Sequence, residues 1–316
     1  MIIEQIATSL GLPQGYILNL SNGASHNYKT YQIKKKNGGL RVIHHPSRKL
    51  KAVQNWLLKN VLASLPVHDA ATAYRVGRSI YYNALVHSNS RYLLRIDLSN
   101  FFPSITADDF ARYASTRSSL FSGWTAEDLQ AVARLLFLQK KLTIGAPTSP
   151  SLANILCYEV DCEIEELCKT KDVVYTRYAD DLFFSCDAPN VLGDLTDQIR
   201  VILNDAELPA NLSINPAKTV HSSKKKNRQV TGITLGSDGK PHVPRKYKRL
   251  IRSQIFKYEE LDDRQKVSLT GMISYVAGCE PDFINRLISK YGFEKINYVM
   301  TLRPLEERQR LHALRS

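Results

Sequence analysis

The sequence predicts an α+β fold. Short β-branched or aromatic runs and stretches of helical periodicity follow one another in no regular strand–helix–strand order. Two of the strand-like regions are interrupted by strong turn sequences, Asn37-Gly38-Gly39 and Ser237-Asp238-Gly239, as antiparallel hairpins require. With 316 residues, 43% of them hydrophobic, the chain can build one large domain or two intimate subdomains.

Taken in order, residues 30 to 43 (TYQIKKKNGGLRVI) read as a hairpin. Ser47 caps a helix from Arg48 to Leu65, with Leu50, Val53, Leu57 and Val61 at helical spacing. Tyr92 to Asp97 is a buried strand that ends in a carboxylate. Thr106 and Thr125 each open a helix with an acid three residues on, the pattern of a capping box. Residues 143 to 150 (TIGAPTSP) form a Gly/Pro loop before a helix over 151–168. Val173 to Tyr178 and Leu182 to Cys186 make a short hairpin with Asp180 and Asp181 at its turn. A helix follows over 191–206, then strands over 229–235 and 241–243, and a mostly helical end.

Forty-three Lys and Arg stand against 30 Asp and Glu, a formal net charge of +13. Such a surface favours a polyanion, nucleic acid or anionic lipid. No apolar run approaches the roughly 20 residues of a membrane span, and the start lacks the pattern of a signal peptide. A cytoplasmic protein with no membrane partner is the expectation. The five cysteines, Cys157, Cys162, Cys168, Cys186 and Cys279, are scattered without a CxxC pair. They predict neither a disulfide framework nor a zinc site.

The chemistry concentrates in YTRYADDLFFS (Tyr175–Ser185). Adjacent carboxylates repel, and one takes up a proton unless a cation neutralises them. Oxygen ligands favour magnesium. Asp97, at the end of its own strand, is the third carboxylate. Three acids on neighbouring strands can hold two magnesium ions about 4 Å apart, as in polymerases and nucleases.

These residues sit in motifs that resemble reverse transcriptases. YADD (Tyr178–Asp181) resembles the family's catalytic loop and RIDLSNFFPSI (Arg95–Ile105) its first acidic motif. GAPTSPSLAN (Gly145–Asn154) resembles its Gly/Pro loop and helix, NPAKT (Asn215–Thr219) its lysine motif, and HHPSRKLKAVQNWL (His44–Leu57) its fingers segment. NALVH (Asn83–His87) and VTG (Val230–Gly232) resemble segments of the bacterial retron branch. The resemblance implies a right-hand polymerase: N-terminal region and fingers over 1–92, palm with interleaved fingers helices over 93–235, and a mainly helical thumb over 236–316.

It also implies roles. Asp97, Asp180 and Asp181 are the catalytic acids; with the Leu98 carbonyl they hold two magnesium ions, and Asp180 is the shared ligand. Deoxynucleoside triphosphates are the substrates. Arg41 grips the triphosphate, helped by one of Lys34, Lys35 and Lys36. Lys218 lies near the pyrophosphate as a possible proton donor. Gly145 to Pro150 shape the floor under nucleotide and template. Ile144 stands where many members have glutamine, which puts a contact relevant to fidelity in doubt. Phe102 is the gate at the sugar 2′ position; simple strand alternation would instead choose Phe101.

For RNA, the resemblance points to Asn83, His87, Val230, Thr231 and Gly232. Helical spacing puts Arg245, Lys248, Arg249 and Arg252 on one face of a thumb helix, and Tyr247, Leu250, Ile251 and Ile255 on the other. A retron enzyme binds a structured noncoding RNA as template and primer. It starts DNA from an RNA 2′-hydroxyl, leaves a branched RNA–DNA product, and works with an effector protein in antiphage defence. On this length, an added RNase H domain is not expected. The alternatives are a group II-like or CRISPR-associated reverse transcriptase, an idle RNA-binding scaffold and a magnesium-dependent nuclease. The intact acids speak against the scaffold, and Phe102 and the basic fingers residues against the nuclease.

Overall fold

The computed structural model describes residues 1–35 and 38–302. Lys36, Asn37 and the end of the expected thumb, 303–316, lie outside the described residues. The chain divides into two compact units, one of Met1–Arg78 with Arg91–His221, the other of Ser79–Ser90 with Ser222 onward. Their elements mix helices and antiparallel strands, the α+β class expected from the sequence.

The first unit opens with helices α1 (Ile2–Leu10) and α2 (Gln14–Asn22), the hairpin β1 (Tyr28–Lys34) and β2 (Leu40–Pro46), and α3 (Arg48–Asn60). The Ser47 side chain accepts from Leu50 N, as its position predicts, but the helix stops at Asn60 and a 3-10 turn, Leu62–Ser64, replaces its last part. Helix α4 (Ile80–Val86) belongs to the second unit. The chain returns with β3 (Tyr92–Leu98), the short α5 (Phe101–Ser104), α6 (Ala107–Thr116) and α7 (Ala126–Leu136). Both threonines form complete capping boxes, Thr106 with Asp109 and Thr125 with Asp128. The single helix expected over 151–168 is two, α8 (Ser149–Leu156) and α9 (Tyr158–Lys169), because the backbone leaves helical geometry at Cys157 (φ −82°, ψ 6°). Strands β4 (Val174–Tyr178) and β5 (Asp181–Cys186), helix α10 (Leu195–Asp205) and strand β6 (Ile214–Ser223) complete the sequence of elements.

Strands β4, β5, β3 and β6 form one sheet in that order. The buried side chains Leu94, Ile96, Leu182 and Phe184 of its two central strands join Phe110, Leu135, Leu152 and Ile164 from α6 to α9 in one core. Burial of this size dominates the stability of a domain and holds the sheet still.

The second unit carries β7 (Arg228–Val230), β8 (Ile233–Leu235) and β9 (Pro241–His242), then α11 (Arg245–Phe256), α12 (Asp263–Cys279), α13 (Pro281–Tyr291) and α14 (Phe293–Thr301). The strand expected over 229–235 is a hairpin instead. Thr231 (φ 48°) and Gly232 (φ 82°) both take positive φ, which makes a two-residue turn. The β-branched residues concealed that break in the sequence. Buried Arg228 donates to the carbonyls of Ser88, Ser90 and Gly236, and Thr231 Oγ1 to that of Ile80 at 3.0 Å. These bonds explain why residues 79–90 group with the later chain. Among the described residues, no helix is long and apolar enough to cross a membrane.

Candidate active site

The β4–β5 turn is tight because Ala179 adopts φ 57°. Tyr178 then pairs with Asp181 across the hairpin, and Asp181 pairs with Asp97 of β3. Directly opposed residues share a face of the sheet. Leu98 N donates to Asp180 O at 2.8 Å, which ties the turn to the end of β3. The register therefore gathers all three acids at one sheet edge, with Asp181 rather than Asp180 directly across from Asp97.

Their electrostatics reflect crowding. Burial and then the charge of Asp180 push Asp181 up to about 6; Arg95 opposes the rise, Asp97 adds a smaller one, and Lys218 opposes it further. Asp180 is also raised, first by burial and then by Asp97; Lys218 and Arg41 work against the rise. Lys218 Nζ lies 2.9 Å from both carboxylate oxygens of Asp97, and Asn215 Nδ2 donates to one of them at 3.2 Å. Among the described residues, no three His, Cys, Asp or Glu side chains stand close enough to hold one ion. The ammonium of Lys218 is the cation that neutralises Asp97 here.

The fingers hairpin is stitched to the Gly/Pro loop. His44 N donates to Ile144 O at 2.8 Å. Gly145, at φ 123°, is where the two backbones come closest: a Cβ there would lie 2.5 Å from His44 O and 3.1 Å from Ile43 Cγ2. We expect Gly145→Ala to push the hairpin that carries Arg41 away from the loop. Steady-state extension assays should show a KM for deoxynucleotides raised by about tenfold, the effect of losing about 1.4 kcal/mol of binding, with the fold retained by circular dichroism.

Phe101 is buried (4% exposed), while Phe102 is only partly buried against the core. Asn100 at φ 47° turns the chain from strand into α5, so strand alternation no longer applies there.

Beneath the acids lies a buried network that sequence reasoning missed. Arg177 Nε and Nη2 donate to the two oxygens of Asp161 at 2.8 and 2.5 Å, and Nη1 donates to Asn154 Oδ1 at 3.0 Å. Tyr175 donates its hydroxyl to Asp161 at 2.8 Å. Arg177 and Asp161 are 2% and 0% exposed. An arginine in the middle of the apolar run before YADD was the available signal, since such a charge requires a buried acid.

In the second unit, Asn83, His87 and Val230 are fully buried. In this conformation their side chains lie inside that unit. Thr231 is half-buried and Gly232 exposed at the hairpin turn. On α11, Arg245, Arg249 and Arg252 are exposed. Lys248 instead turns to Glu280, 2.9 Å from both oxygens. Leu250, expected on the packed face, is 45% exposed, while Ile251 and Ile255 are buried. The helix thus turns its basic face slightly away from the expected one.

Burial lowers His87 to about 3, so it stays neutral in the folded chain. An unfolded histidine titrates near 6.5. The unfolded state therefore binds the extra proton between about 6.5 and 3, and stability falls as pH drops through that window. Urea titrations should show wild type losing stability relative to His87→Gln by up to about tenfold in the unfolding constant per pH unit below 6.5. A constant difference between pH 7 and 5 would contradict this.

Comparison with known proteins adds independent evidence. The profile of the family "Reverse transcriptase (RNA-dependent DNA polymerase)" matches residues 33–235. The retron Ec83 reverse transcriptase of Escherichia coli is 36% identical, over 91% of this chain and 94% of that one. The retron Ec73 enzyme of the same species is 34% identical over 87% and 90%, and the retron Ec86 enzyme 30% over 88% and 87%. With the profile spanning both acidic motifs and these relatives matching most of their own length, the chain belongs to the retron reverse transcriptases, a family of RNA-directed DNA polymerases.

Proposed function

We propose that this enzyme binds a structured noncoding RNA and copies part of it into DNA by two-magnesium nucleotidyl transfer. Synthesis is primed from an RNA 2′-hydroxyl and yields a branched RNA–DNA hybrid. The observation that carries the reading is the placement of Asp97 opposite Asp181, beside Asp180, at one sheet edge.

The donor set suits magnesium. It is all oxygen, and the Asp97 charge raises Asp180 and, with that of Asp180, raises Asp181, a repulsion that a divalent cation relieves. Asp97, Asp180, Asp181 and the Leu98 carbonyl would hold the ions, once Lys218 leaves Asp97. When bound, the ions activate the primer hydroxyl and neutralise the leaving pyrophosphate. Arg41 and Lys218 bind the triphosphate, and a released Lys218 can give a proton to the departing group. Gly145 to Pro150 support nucleotide and template. Phe102 screens the sugar 2′ position, so Phe102→Ala should admit ribonucleotides; admission by Phe101→Ala alone would reassign the gate.

In this reading the fingers, palm and thumb are 1–92, 93–235 and 236–316. The exposed Arg245, Arg249 and Arg252 meet RNA phosphates, and RNA helices are read chiefly by shape and backbone. Asn83, His87 and Val230 contribute by shaping the unit that presents Thr231 and Gly232. The reading places the enzyme in the cytoplasm with its RNA, its DNA product and an effector protein of an antiphage system. The test is extraction of nucleic acid from protein purified after co-expression with its own locus. A DNA-containing, RNase-sensitive species is expected; its absence overturns the proposal.

A further inference from the structure

Residues 68–78 (HDAATAYRVGR) lie between the 3-10 turn Leu62–Ser64 and helix α4. They run along the outer edge of β4. Ala71 and Arg177 form a parallel bridge. Arg177 N donates to Ala70 O at 2.7 Å, and Thr72 N to Arg177 O at 2.8 Å. Asn154 Nδ2 holds the Ala73 carbonyl at 2.9 Å, and Arg75 folds back onto the carbonyls of His68 and Ala71. Ala70, Ala71, Thr72 and Ala73 are all buried. The segment is therefore anchored to the same Arg177 network that supports the catalytic hairpin.

Ala71 lies beside Arg177, and the two chains run parallel. Tyr74 follows that bridge by three residues on one chain, as Asp180, at the β4–β5 turn, does on the other. Tyr74 has φ 61°, a conformation disfavoured for a bulky side chain and kept only where the surroundings enforce it. Its side chain remains 56% exposed. The phenol is raised by partial burial first, then by Tyr178 and Asp180, with Arg41 opposing, so its hydroxyl lies within electrostatic reach of Asp180 and Arg41. Strain, exposure and proximity coincide in one aromatic residue.

We propose that Tyr74 is a substrate-contacting residue whose ring stacks on a nucleobase brought to the acid cluster. The base belongs either to the incoming deoxynucleotide or to the template, and the inference rests on the polymerase reading of the acids. An aromatic face suits the task because every base has a π surface, so stacking tolerates all four.

The test uses the full-length chain with a DNA primer on a short RNA template. Steady-state extension reports kcat and KM for deoxynucleotides; fluorescence anisotropy reports the Kd for template–primer with an unpaired template base. Tyr74→Ala should weaken one of these by about tenfold, as loss of a base stack does, while Tyr74→Phe and Tyr74→Trp remain within about twofold of wild type. A rise in KM identifies the nucleotide base as the partner; a rise in Kd identifies the template base. Rescue by the aromatic replacements separates stacking from a structural role. Unchanged KM and Kd in Tyr74→Ala would overturn the inference, as would Tyr74→Phe losing as much as Tyr74→Ala. If wild type itself fails to extend, the polymerase reading falls as well.

Discussion

Asp180→Asn is expected to reduce DNA synthesis by at least about a thousandfold, the loss of roughly 4 kcal/mol of transition-state stabilisation that metal-held charge supplies. The substitution keeps the size of the side chain and removes its charge. In the folded chain that charge is opposed by burial and by Asp97. Neutralising it therefore relieves repulsion, and the melting temperature should hold or rise. A single-turnover extension assay paired with thermal unfolding separates the two effects. Near-wild-type synthesis in a folded variant would remove Asp180 from the catalytic acids. A large fall in melting temperature would make it structural instead.

The second large effect concerns stability. Asp161→Ala leaves Arg177 buried without its carboxylate, and Arg177→Met does the same to Asp161. Burial works against the Arg177 charge, and Asp161, together with Cys157 and Tyr175, more than offsets that cost. Breaking a buried pair from one side costs about 3–5 kcal/mol. Each single variant should therefore lower the denaturant midpoint sharply. The double variant should cost much less than the sum, since neither charge is then left alone. Additive losses would show that the two groups act independently. Because the Arg177 guanidinium also holds Asn154, whose Nδ2 donates to the Ala73 carbonyl, both single variants should lose activity before they unfold globally.

Much of the site was legible because its signals are local. The capping boxes at Thr106 and Thr125 need only residues three apart, and both formed as expected. The acids at a tight turn between apolar strands were visible for the same reason. Harder to read were positions where local preference and tertiary demand disagree. Thr231 is β-branched and looks like strand, yet it sits in a turn at positive φ and donates to Ile80. Lys248 looks like part of a basic stripe, yet Glu280, 32 residues away, draws it inward. Asn83 and His87 look polar and available, yet the core of their unit encloses them.

The sequence alone determined which residues carry charge, where the capped helices begin, and which turn brings acids to strand ends. These follow from preferences that act over a few residues. Only the tertiary structure decided who meets whom. Lys218 reaches Asp97 across 121 residues, Arg228 reaches Ser90 across 138, and Arg177 finds Asp161 and Asn154 on two neighbouring helices. A buried charge must find its partner when the core closes, and that partner is chosen by packing rather than by distance along the chain.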